Sequence, residues 1–237
     1  MKVLLGLMVA GMLSSPATAA VIYSTTFEAP TYVSGPLFGQ DGWVTAGTVV
    51  VVEGVSSGFG TQSAAIVGDT SGLRALRPTL VNGAINPIVL IQGDLAILSD
   101  GPNTWSFAAL SSTFSELGGF DIASDGTVSI RSSGLPPVGA VALDAFNTFT
   151  MVLDFSGNNY SLFLNGANVA VAVPFISPGT DLLTGLMATA SSEGGIAYLD
   201  NYVVATADEN VVPEPGTLAM IGAGIALVGL ARLRRKQ

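Results

Sequence analysis

Cysteine and histidine are both absent from the 237 residues of this chain. Without cysteine there is no disulfide framework and no thiolate nucleophile or metal ligand. Without histidine, Ser-His-Asp triads, imidazole general bases and histidine-ligated zinc are excluded as well. Positive charge is scarce and unevenly placed. Of the 8 Lys and Arg residues, Lys2 stands near the N-terminus and Arg232, Arg234, Arg235 and Lys236 cluster at the C-terminal tip. Only Arg74, Arg77 and Arg131 remain between Lys2 and the tail that starts at Val212, against sixteen of the 17 Asp and Glu (Glu214 lies in the tail), a net charge of −13 for that stretch. Such a surface repels polyphosphate backbones, so nucleic acid is not an expected partner. A convincing amphipathic helical period is missing too, which argues against helical-bundle and α/β layouts.

What is present is most informative at the two ends. Lys2 forms a minimal positive region, Val3 to Leu13 is an apolar run, and Ser14-Ser15-Pro16-Ala17-Thr18-Ala19-Ala20 supplies small residues. Ala17-x-Ala19 fits the A-x-A cleavage rule, so residues 1–20 read as a secretory signal peptide, cut by signal peptidase after Ala19 or Ala20. At the other end, residues 208–216 form a linker that contains Val212, Pro213, Glu214 and Pro215. Residues 217–231 follow as an apolar stretch. It reads as a short transmembrane helix of about 23 Å, at the lower margin of what a bilayer accepts, since a comfortable crossing needs about 20 residues. The basic tail at residues 232–237 places that end in the cytoplasm by the positive-inside rule, so the body between the two ends faces outward. The paired prolines keep the preceding backbone extended and accessible to a membrane-embedded protease. Together, Val-Pro-Glu-Pro-Gly-Thr, a short apolar helix and Arg-Leu-Arg-Arg-Lys resemble a PEP-CTERM sorting signal. The resemblance implies a transient membrane anchor, processed near Pro213-Glu214-Pro215 by an exosortase-type protease/transpeptidase, in a bacterium that makes exopolysaccharide.

Between Val21 and Ala207 short runs rich in Val, Ile, Thr and Phe alternate with Gly, Asn, Asp, Ser and Pro clusters, the pattern of an all-β domain. Residues 148–155 place Phe149, Met151, Leu153 and Phe155 on one face of a strand, and Tyr160, Leu162 and Leu164 repeat the pattern after a turn. Asn165-Gly166 signals a type I′ hairpin, and Val169, Val171 and Val173 alternate on a third strand. Further strands are expected over 22–27, 48–53, 64–67, 88–92, 95–98, 105–110, 113–122, 127–131, 138–143, 182–189 and 196–205. So many strands without a helix predict two antiparallel sheets packed as a sandwich or jelly roll over residues 21–207, with no linker or repeat inside.

"FNTFTMVLDFSGNNYSLFLNGANVAV" followed by "GIAYLDNYVV" is similar to concanavalin A-like, laminin-G-type sandwich domains, and "FEAPTYVSGPLFGQDGW" resembles the openings of secreted members. That likeness implies a lectin-like body and raises calcium as a possible cofactor. Calcium needs six to eight oxygens from several loops; Asp69, Asp154, Asn158 and Asp181 are loop candidates, but the spacing defines no ligand set. Glucanases of this superfamily place Glu-x-Asp-x-x-Glu on one strand, and that spacing is missing. Asp121 and Asp125 read as strand and turn, and Asp94 and Asp100 flank an apolar strand without a second acid in phase. Catalysis is therefore not expected. For carbohydrate, Trp43 after Gln40-Asp41-Gly42 is the candidate stacking platform, with a packed plug under a loop as the alternative. Trp105 and Tyr160 fall in phase with core residues, and Asp200-Asn201 is expected to fix a buried turn. The expectation is an exported, non-catalytic surface or exopolysaccharide-matrix protein, either carbohydrate-binding or purely structural.

Overall fold

A computed structural model of the chain describes residues 20–57, 60–68, 75–99, 104–131, 134–190 and 195–207. The expected signal peptide apart from Ala20, the linker with Val212, Pro213, Glu214 and Pro215, the apolar span and the basic tail lie outside the described residues, as do Asp69 and Asp100. Among the described residues no helix is long and apolar enough to cross a membrane.

In chain order the strands begin with β1 (Ala20–Thr25), β2 (Gly35–Pro36), β3 (Val44–Thr45), β4 (Val49–Glu53), β5 (Gln62–Val67) and β6 (Ala75–Leu76). They continue with β7 (Val81–Asn82), β8 (Ile88–Ile97), β9 (Trp105–Leu110), β10 (Glu116–Ile122), β11 (Thr127–Ile130) and β12 (Gly139–Ala140). The last are β13 (Asn147–Asp154), β14 (Asn159–Leu164), β15 (Ala167–Pro174), β16 (Asp181–Leu182), β17 (Thr184–Ala190) and β18 (Ile196–Ala207). The larger sheet runs β15-β14-β13-β8-β18-β5-β4-β2, with β1 joined to β18. The smaller runs β12-β11-β10-β9-β17-β6-β3, and β16 pairs with β7. All pairings are antiparallel. The expected all-β sandwich is what forms.

The period-two pattern explains the layering. Along β14 every second residue, Tyr160, Leu162 and Leu164, is buried, and opposite them Phe149, Met151 and Leu153 of β13 face the same core. Phe149 stacks on Phe120 of the smaller sheet with ring centroids 4.5 Å apart, and Phe107 stacks on Phe120 at 5.4 Å, so one aromatic column ties the sheets together. Trp105 and Tyr160 are core, as expected, and the Tyr160 hydroxyl donates to the carbonyl of Gly119 at 3.0 Å. Gly119 admits no side chain, because a Cβ would sit 2.3 Å from the carbonyl oxygen of Phe107. Beside Gly93 the space between the sheets is a void of about 10 Å³ lined by apolar side chains, room for one water at most.

Five details differ from the sequence reading, the first being that the strand expected over 182–189 divides into β16, paired with β7, and β17, paired with β9 and β6. The expected strands 88–92 and 95–98 are one strand, because Gly93 and Asp94 stay in the ladder opposite Phe149 and Thr148. The strand expected from residue 113 begins at Glu116, since Ser111–Ser115 close a turn in which Phe114 N–H donates to the Ser111 carbonyl. Of residues 138–143 only Gly139 and Ala140 pair. The third strand of the meander loses its alternation: β15 is bulged against β14, Ala172 has φ +49°, and Val171 turns out to solvent.

Candidate functional site

Trp43 follows a turn in which Gly39, Asp41 and Gly42 all have positive φ, and the chain there swings the indole inward. Its side chain is 1% exposed and packs against Phe27 and Tyr202, at 5.5 and 5.7 Å between ring centroids. The indole N–H donates to the hydroxyls of Tyr32 and Tyr23 at 3.0 and 3.2 Å. Those hydroxyls lie 2.8 Å apart, and both reach Asp41 Oδ2. Burial pushes both tyrosines above the ordinary phenol range, which keeps them protonated as donors. The Arg77 guanidinium sits 4.4 Å above the centre of the Tyr23 ring and closes the group. Stacking on a sugar requires an exposed ring face, and Trp43 has none. The packed-plug alternative describes its position, and the stacking role is corrected accordingly.

Asp200 and Asn201 lie within β18, in an in-strand bulge where a buried turn was expected. Asn201 adopts φ +47°, a region asparagine tolerates. Asp200, 1% exposed, accepts from the N–H and hydroxyl of Ser57, both at 3.0 Å, and from Asn201 N–H at 2.8 Å. In register across β8, Asp94 accepts from Thr148 Oγ1 at 2.6 Å and from Asn201 Nδ2 at 2.7 Å. Burial raises the Asp200 carboxyl above its ordinary 3.8. This cluster is a fastening between strand and loop: every contact it makes is internal to the fold.

The remaining acids are engaged as well. Asp121 meets Arg131 at 3.1 Å and Ser106 at 2.6 Å, and Arg131 also meets Glu116 at 2.6 Å. Asp125 caps the turn before Thr127, as the sequence suggests. Asp154 accepts from Ser156 and Gly157 of its own turn, while Asp181 accepts from Ser112 N–H and Oγ. Among the described residues no group of three or more acidic side chains is placed to hold a metal ion.

A surface the sequence reading missed lies on the outer face of the larger sheet. Asn168, Phe163, Thr150 and Gln92 stand side by side across β15, β14, β13 and β8. Phe163 and Gln92 are half-buried, Asn168 is exposed and Thr150 is buried, its Oγ1 donating to Gln92 Oε1 at 3.3 Å. In β14, β13 and β8 these residues alternate with core positions, so the period was legible there, but which strands become neighbours was not.

The fold has known relatives in shape. One is a Bacillus subtilis protein of unknown function with a galectin-like fold, 13% identical, TM-score 0.51, with 81% of this chain and 98% of that chain covered. A sialidase aligns at 11% identity and TM-score 0.54 over 70% of this chain. The chain spans only 17% of that sialidase's length. A search of the curated proteins finds no matching sequence. Residues 211–236 match the PEP-CTERM protein-sorting motif, so this chain carries a PEP-CTERM sorting signal behind an antiparallel sandwich of galectin-like shape.

Proposed function

We propose that this protein is a non-catalytic component of the cell surface or exopolysaccharide matrix that binds carbohydrate on the outer face of its larger sheet. The sorting motif supports export, transient anchoring and processing by an exosortase. The row Asn168–Phe163–Thr150–Gln92 carries the binding half of the reading. The Phe163 ring offers an apolar surface to sugar C–H groups, and the amides of Asn168 and Gln92 can donate to and accept from ring hydroxyls. Uncharged groups suit neutral glycans better than the Glu116–Arg131–Asp121 set on the smaller sheet. Support for a non-catalytic role comes from the acids themselves. Glycoside hydrolysis uses two carboxyl groups facing a cleft, whereas Asp94 and Asp200 are buried and Asp121 and Glu116 are bound to Arg131.

Retention of the processed protein on the producing organism's own exopolysaccharide tests this, in calcium and in chelator, beside Phe163→Ala and Gln92→Ala. Each substitution is expected to weaken retention roughly tenfold, the loss of one good contact of about 1.4 kcal/mol. Saturable binding untouched by either change would move the site elsewhere. No binding in either condition would leave a structural surface protein without a glycan ligand.

A further inference from the structure

Both ends of the described chain emerge at one end of the sandwich. Ala207, the last residue of β18, pairs with Ile88 at the start of β8, and Ala20 of β1 pairs with Thr206. Three loops crowd around this exit. Residues 79–87 lead into β8, and Gly83 N–H donates to the Thr180 carbonyl of the 175–183 loop. That loop's Asp181 receives Ser112 of the β9–β10 turn, and its Ile176 N–H donates to the Leu117 carbonyl. The loops are thus one bonded assembly, and their tips are apolar. Leu80 is 66%, Ile85 75% and Phe114 65% exposed, with Ile176, Val21 and Ile22 also open to solvent.

Phe114 is unusual in a second respect. Its φ is +59°, in the left-handed region where a bulky residue is rare and glycine would be free of strain. A turn that needed only to connect two strands would not favour a phenyl ring in this conformation and pointing into water.

The chain that leaves this end specifies what faces it. Nine residues, 208–216, separate Ala207 from the apolar stretch at 217–231, and nine residues reach at most about 30 Å when fully extended. We propose that this end of the sandwich is a membrane-contacting face: while the tail is anchored, Leu80, Ile85 and Phe114 enter the interfacial region of the outer leaflet. The inference rests on the sorting tail being inserted in the membrane. Shallow apolar insertion is the driving interaction, because the nearby Asp154 and Asp181, bonded to Ser156 and Ser112, carry negative charge that anionic headgroups would repel. The sandwich would then stand upright on the bilayer, with its sheet faces free and the linker held at the surface where a membrane-embedded protease works.

The lack of cysteine makes the test direct, because any introduced thiol is the sole label site. The full chain, carrying Phe114→Cys, Ile85→Cys or, at the opposite end, Ser124→Cys, is labelled with an environment-sensitive dye. It is then reconstituted in phosphatidylethanolamine–phosphatidylglycerol vesicles with or without shallow doxyl-labelled phosphatidylcholine. The expected result is a blue shift and loss of fluorescence to the doxyl group at 114 and 85, and neither at 124. Equal quenching at all three positions in chain that floats with the vesicles would overturn the proposal alone. A blue shift without doxyl quenching would put protein on these tips, a second copy or the tail itself, and would overturn it too. Failure to float would overturn the anchored tail and the proposal together.

Discussion

Asp200 shows how one side chain can be costly and useful together. Its carboxylate is shielded from water, and burial outweighs the three hydrogen bonds it accepts, so its pKa in the folded chain lies above 3.8. The folded state therefore holds this proton more tightly than the unfolded state. By linkage the resulting stability is fully present below the unfolded value and is lost as pH rises through the folded one. An amide at this position never ionises. The melting temperature of the wild type relative to Asp200→Asn is expected to fall as pH rises from about 3.8 toward neutrality. A difference that stays flat over that window would show that Asp200 is not perturbed. Asp154, Asp144 and Asp125 shift the other way, so only the difference between the two proteins isolates this residue. Trp43 carries a related lesson. A local sequence of Gln-Asp-Gly-Trp looks like a surface loop, but the ring ends up under Tyr23, Tyr32 and Arg77 because the turn with Gly39, Asp41 and Gly42 at positive φ reverses the chain direction.

Strand β18 is the element on which the larger sheet depends. It is bonded to β8 along one edge, while its other edge serves β5 through Leu199 and β1 from Tyr202 onward. Asn201 occupies the switch between those two partners, which explains a bulge at a site where an unbroken ladder could not serve both. The loop between β4 and β5 is fastened at this fork by Ser57 on Asp200 and by Glu28, whose carboxylate accepts from Thr61 N–H, Thr61 Oγ1 and Gln62 N–H. Glu28→Ala removes three bonds to a charged acceptor and is expected to cost about 1–3 kcal/mol locally. Hydrogen exchange should report this as faster exchange at the Thr61 and Gln62 amides with little change in the β13–β14 ladder. Equal protection in both proteins would mean that Glu28 does not hold the loop. The three-strand meander was legible because each strand alternates strictly and Asn165-Gly166 marks its turn: both residues adopt positive φ, at +49° and +79°. The two-residue strands β2, β3, β6 and β7 were not legible, since two paired residues carry no period.

For the whole molecule, the two sheets bury an apolar interior in which Asp94 and Asp200 are the buried acids among the described residues, while the chain's membrane address lies in about 26 residues outside the sandwich. The address includes Pro213-Glu214-Pro215 ahead of the apolar residues, a sequence that resists helix formation. Replacing Pro213 and Pro215 by Ala lets helix continue into the linker and should block processing. In cells with an active exosortase the variant is expected to stay in the membrane fraction at unprocessed mass, while the parent chain moves to the surface or medium. Release of both at the same rate would show that the prolines do not govern recognition.

Sequence alone determined the parts of this protein that are read locally. Period-two alternation, turn residues and a tripartite tail are properties of contiguous residues, so the all-β sandwich and the sorting signal follow without any knowledge of contacts. The lack of histidine and cysteine likewise settled which chemistries were out of reach. Only the tertiary structure decided which side chains meet. Asp94 and Asp200 are far apart in sequence, Asn168 and Gln92 equally so, and each pair is brought together by strand order, which depends on how two sheets close over a shared core. For the same reason it buried Trp43, exposed Phe114 and gathered both chain ends on one face: burial is a property of the packed whole, and a residue's own neighbours in sequence do not specify it.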